Sequence, residues 1–169
     1  MGLHFVPNQR ELKVDPISVE ALDALSAALQ ALLPAVADPA QKPKVTIQPH
    51  SISPTGVGGF VGINDNPVGE ILGRSIDATA VIGVVAAKDQ IDAAVAAVTN
   101  GFLAADRATL AAQGLQRIAF DTMGDVSAVS DALVQRPVSF RVLYEFLKKP
   151  VDPEGIIQEI PLNIQLQQS

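Results

Sequence analysis

Residues 138–146 alternate without a break: Val138, Phe140, Val142, Tyr144 and Phe146 are apolar or aromatic, with Ser139, Arg141, Leu143 and Glu145 between them. Side chains on a strand point to opposite faces in turn, so this spacing predicts a strand with one buried face and one face nearer water. Such a strand needs a sheet around it and a second layer over the buried face. Helical patterns upstream supply that layer. Leu22, Leu25, Leu29, Leu32, Leu33 and Val36 recur at helical spacing and predict a first amphipathic helix. Ser18 is placed as its N-cap, Ile17 and Leu22 as a hydrophobic staple, and Pro34 and Pro39 as its end. A second helix is expected from a cap at Asp89 through Ile91, Val95, Val98, Phe102 and Leu110 to a stop at Gly114, bent or divided at Asn100 and Gly101.

Further strands are expected at Lys44–Gln48, at Ser75–Ala87 and at Leu115–Met123. In Ser75–Ala87, Ile76, Ala78, Ala80, Ile82 and Val84 share one face, and the strand should be half-exposed at its start and buried on both faces later. A last strand within residues 155–169 carries Ile160, Leu162, Ile164 and Leu166 in alternation with Asn163, Gln165 and Gln167. Between Pro49 and Gly73 the pattern breaks, with three prolines and six glycines in twenty-five residues. That stretch is expected to be a long ordered loop, a hairpin carrying Val57 to Ile63, or an arm. No fixed-period repeat and no linker divides the chain, so residues 1–169 read as a single α+β domain. Its expected architecture is two main helices packed on a mostly antiparallel sheet, with a long Gly/Pro-rich loop.

Composition narrows the function classes. Hydrophobic residues are 48% and charged residues 18% of the chain, which excludes a disordered tail or a nucleic-acid arm as the identity of the whole. There is no cysteine, hence no disulfide framework, thiolate metal site or cysteine nucleophile. A net charge of −6 opposes non-specific attraction to phosphate backbones and anionic membranes. The opening residues lack the basic start and apolar run of a secretory signal, and Ala78–Ala87 is half the length of a helical membrane span, so folding in a reducing cytoplasm is expected.

Recognisable site chemistry is sparse in the sequence. The glycine run Gly56, Gly58, Gly59 and Gly62 matches neither the dinucleotide nor the P-loop pattern and contains no lysine. His4 and His50, the only histidines, have no metal-ligand spacing around them, and Ser51 and Ser53 are not in a nucleophile elbow. Asp121 and Asp125, set around Gly124, read as a solvated turn rather than a carboxylate pair. Glu70 and Arg74 would form an i,i+4 pair if Val68 to Arg74 were one helical turn. Lys148 and Lys149 are the one adjacent basic pair, and Phe140, Tyr144 and Phe146 fit core packing better than base stacking. The terminal segment, apolar on one face and nearly uncharged on the other, has the makings of an assembly edge.

The element order, together with the phrases VIGVVAA, RPVSFRVLYEFLKKP and GIIQEIPLNIQL, resembles the tail terminator, or tail completion, proteins of long-tailed bacteriophages and related contractile injection systems. The resemblance covers residues 18–166. It implies a non-enzymatic structural subunit that forms a homo-oligomeric ring, usually of six copies, capping the tail tube protein and touching sheath or neck proteins. It implies no cofactor, no metal, no membrane and no specific nucleic acid. It implies a place in a virion or phage-tail-like particle assembled in the bacterial cytoplasm. The contact positions expected on this reading are Gly58, Phe60 and Asn64 in the glycine-rich segment and Ile160, Leu162, Ile164 and Leu166 in the terminal strand. The alternatives are another neck, sheath-cap or baseplate component of the same machinery, or a small ligand-binding or enzymatic domain using residues 49–73 as a lid.

Overall fold

The computed structural model describes residues 15–151. Helix α1 spans Pro16–Ala31, and its N-cap is Asp15 rather than Ser18: the Asp15 carboxylate accepts the Ser18 N–H at 2.7 Å. Pro16 sits in the first turn, where its fixed φ is already helical and its missing N–H removes one donor that would have had no partner. Leu32 caps the other end, ahead of Pro34.

A single 3-10 turn, Pro39–Gln41, leads into β1, Lys44–Asp65, which turns at Asn66 and Pro67 into β2, Val68–Ala87. Of the alternatives for residues 49–73, the hairpin carrying Val57 to Ile63 is the one present; the stretch is strand rather than loop over most of its length, and β1 is far longer than the Lys44–Gln48 segment anticipated. Glycine and proline in this ribbon mark irregularities rather than chain ends. Register slips occur between Pro49 and Ser51, between Thr55 and Phe60, and between Phe60 and Gly62. The looped-out residues of the second slip include Gly58 and Gly59, whose φ of +62° and +97° lie in the left-handed region that glycine enters without penalty.

Helix α2, Ile91–Leu103, starts after Gln90, which makes no side-chain cap bond, so Asp89 is not its cap. The anticipated single helix to Gly114 is two. The break follows Leu103 rather than Asn100, and Asp106 caps the short α3, Arg107–Ala112, by accepting the Thr109 N–H at 2.7 Å. Then come β3, Leu115–Met123, the two-residue β4, Ser127–Ala128, and β5, Leu133–Lys148. The sheet runs β1-β2-β5-β3, with β4 also on β5, and every pairing is antiparallel. A five-stranded antiparallel sheet with three α-helices is an α+β fold.

Alternation decides where the core lies. Ile76, Ala78, Ala80, Ile82, Val84 and Ala86 of β2 and Val138, Phe140, Val142 and Tyr144 of β5 form one buried cluster. Ala21, Leu25, Ala28 and Leu29 of α1 and Ile91, Val95, Val98 and Phe102 of α2 belong to the same cluster. The small residues of β2 let helical side chains approach the sheet closely. Phe102 and Phe140 fill the middle, with ring centroids 4.8 Å apart and planes tilted by 42°.

Candidate assembly surfaces

Pairing between β2 and β5 begins at Leu72 and Lys148, whereas β1 and β2 remain paired out to Asp65 and Val68. The last residues of the β1–β2 hairpin therefore project past the rest of the sheet as a two-stranded arm. A bare two-stranded ribbon is marginal in water, yet this one displays Phe60, Ile63 and Val68 at 41%, 66% and 80% exposure, with Val57 and Val61 also exposed. Phe60 pairs with Leu72 in the ladder, so its ring stands on the arm itself. Gly58 lies in the looped-out segment, and a Cβ added there would meet nothing within 4 Å. Asn64 is engaged locally: its amide donates to the Pro67 carbonyl at 2.8 Å and closes the turn. The terminal positions Ile160, Leu162, Ile164 and Leu166 lie outside the described residues.

The base of the arm is tied to α1. Arg74 in β2, whose side chain is only 11% exposed, donates from Nη2 to Asp15 Oδ2 at 2.8 Å and from Nη1 to the Gly73 carbonyl at 2.8 Å. Glu70 and Arg74 are thus strand residues, and the acid that meets Arg74 is Asp15. Hydrogen bonds from Ser18, then from Arg74, hold the Asp15 carboxyl well below the usual range, at about 2. Gly59 packs against the same guanidinium, since a Cβ there would come within 2.6 Å of Nη1. Lys148 Nζ reaches Glu20 Oε1 at 2.6 Å and fixes the first turns of α1 over the end of β5.

The sheet face opposite the core cluster has a different chemistry. In register across the strands run Thr46, Val81, Ser139 and Thr122, then Gln48, Thr79, Arg141 and Ala119, then Ser51, Asp77, Leu143 and Arg117. Asp77 and Arg141 pair at 3.2 Å and keep 38% and 43% of their side-chain surface in water. His50 Nε2 lies 2.7 Å from Thr79 Oγ1, and Gln116 donates to Glu145 Oε2 at 3.0 Å. The strands bounding this face, β1 and β3, are the outer members of the sheet order, and they run in opposite directions.

On the helix side, an apolar groove of about 320 Å³ is bounded by Pro34, Val36, Val84, Ala86, Ala94 and Ala97, with no ionisable side chain in its lining. Among the described residues no group of His, Asp and Glu side chains could hold a metal ion, and no helix is long and apolar enough to cross a membrane. The sequence reading missed Val57, Ile63 and Val68 as an exposed set because the glycines between them hide the period of two. The place of β3 at the edge of the described sheet had no sequence signal, since strand order is settled by pairing partners. No protein-family model and no curated protein matches the chain.

Proposed function

We propose that this chain is a ring-forming structural subunit, similar to a tail terminator, that caps the tail tube of a phage or phage-tail-like contractile particle without transforming a bound molecule. The observation that carries the reading is the pair of outer strands, β1 and β3, whose outer edges have no strand partner among the described residues. Because β1 and β3 run in opposite directions, rotating one subunit about an axis along the strands sets β1 of the next copy antiparallel to β3. That contact is heterologous, and it closes into a ring when the rotation divides a full turn, with six copies expected from the resemblance. Closure also answers the hazard of two open sheet edges.

In this arrangement the polar face bearing Thr46, Gln48, Asp77, Ser139, Arg141 and Arg117 lines the channel, and α1 and α2 form the outer layer over the sheet. Its mixed charge suits a passage through which cargo slides without adhering. The arm, with Gly58 in its looped-out segment, points along the axis toward the tube, and Ile160, Leu162, Ile164 and Leu166 of the terminal segment add to the contact between copies. The test is an edge block. Replacing Ala119, exposed in β3, with lysine is expected to leave the circular dichroism and melting temperature as they are and to convert the sedimenting oligomer to monomer. An oligomer of unchanged size would refute the β1–β3 junction.

A further inference from the structure

The arm has two faces, and the two ends of the described chain meet them differently. By strand alternation, Val68, Glu70 and Leu72 share the side of Arg74 and Ile76, the side on which the helices lie, and their partners Asp65, Ile63 and Phe60 share it too. Phe60, Ile63 and Val68 on that side are exposed among the described residues. Asp65 and Glu70 beside them are exposed, and neither is in an ion pair among the described residues. Gly69 faces the other way, and a Cβ there would touch Pro150 at 2.7 Å, so Pro150 lies on the opposite side of the arm. Asp15, the first described residue, is held by Arg74 at the arm's base, on the exposed apolar side.

We propose that the helix-side face of the arm is a docking surface whose occupant is residues 1–14 of the same chain. Length permits it. Fourteen residues reach about 46–50 Å when extended, and the six-residue step from Arg74 to Val68 covers about 20 Å. Asp15 is an N-cap with extended backbone, ψ 164°, so α1 begins after it. Chemistry matches as well. The segment offers Leu3, Phe5, Val6, Leu12 and Val14 to the apolar side chains, and Arg10 and Lys13, against one acid, Glu11, to Asp65 and Glu70. This assignment does not depend on the ring.

The chain has no cysteine, so Ile63→Cys, at a largely exposed position, creates a single thiol in the full-length protein. Labelled with a benzophenone maleimide and irradiated in an equal mixture of ¹⁴N and ¹⁵N chains, it should cross-link to residues 1–14 of its own chain. Adducts to residues 152–169, adducts between isotopic forms, or no peptide adduct at all would overturn the assignment. As a second readout, full-length Leu3→Asp/Phe5→Asp should speed amide exchange at residues 60–72 by about tenfold and leave residues 138–144 unaffected. Unchanged exchange in the arm would overturn it equally.

Discussion

Asp15 serves two partners at once, capping α1 through Ser18 and holding Arg74 at the base of the arm. The two roles separate by substitution. Asp15→Ala should cost about 1 kcal/mol for the lost cap. Asp15→Asn keeps a good cap and loses only the ion pair, which is half in water and so is expected to cost well under about 1 kcal/mol. Because the folded carboxyl titrates near 2, below its ordinary 3.8, its contribution is fully present above about pH 4 and is lost as the pH falls toward 2. Denaturant melts of wild type and Asp15→Asn should therefore differ at neutral pH and converge between pH 4 and 2; a gap that persists at pH 2 would be inconsistent with that origin. The true cap was visible in sequence as Asp15 before Pro16, a cap residue followed by a first-turn proline, but the apolar pair Ile17 and Leu22 drew the start of the helix inward to Ser18. At the looped-out segment, Gly58→Val forces a branched side chain into a left-handed backbone at a cost of about 1–2 kcal/mol. Gly59→Val meets the same strain and collides with Arg74 as well, so thermal melts should rank it below Gly58→Val.

Elements were legible in proportion to how strictly their side chains obey one period. The alternation in β5 and the helical spacing in α1 emerge in the fold, because each lines a single continuous core where every second or every third to fourth residue must be apolar. The ribbon of β1 and the start of β2 was legible only as one alternative of three, the hairpin carrying Val57 to Ile63. Its ladder is interrupted by slips at Pro49–Ser51 and Thr55–Phe60, and beyond Leu72 no third strand lies beside it, so neither face is under the selection that produces clean alternation. The division of α2 from α3 was misplaced for a similar reason: Gly101 is tolerated within α2, where Cβ space toward the Leu32 carbonyl is short, while the helix ends at a new cap, Asp106. Two substitutions compare the two kinds of strand. Phe140→Ala empties the centre of the core and should cost about 3–5 kcal/mol, whereas Val57→Ala, at the exposed loop before the arm, should stay within about 0.5 kcal/mol. Equal losses in urea melts would mean that the looped segment packs into the core.

At the scale of the molecule, the fold separates its surfaces: apolar residues collect beneath the helices, charged and hydroxyl side chains line the far face of the sheet, and apolar side chains reappear on the projecting arm. None of this partition could be read from composition, because a net charge says nothing about which face carries it. On the proposed lining Asp77 is offset by Arg141 and Arg117. Deleting residues 158–169 should abolish association between copies while helical ellipticity is largely retained; unchanged sedimentation would remove the terminal segment from the contact. If the proposed subunit closes on copies of itself, negative-stain imaging of the purified full-length protein should show closed rings with a central channel, scattered singly or seated on the ends of tube filaments when these are supplied; particles that remain monomeric at every concentration, or that grow into open filaments, would rule ring closure out.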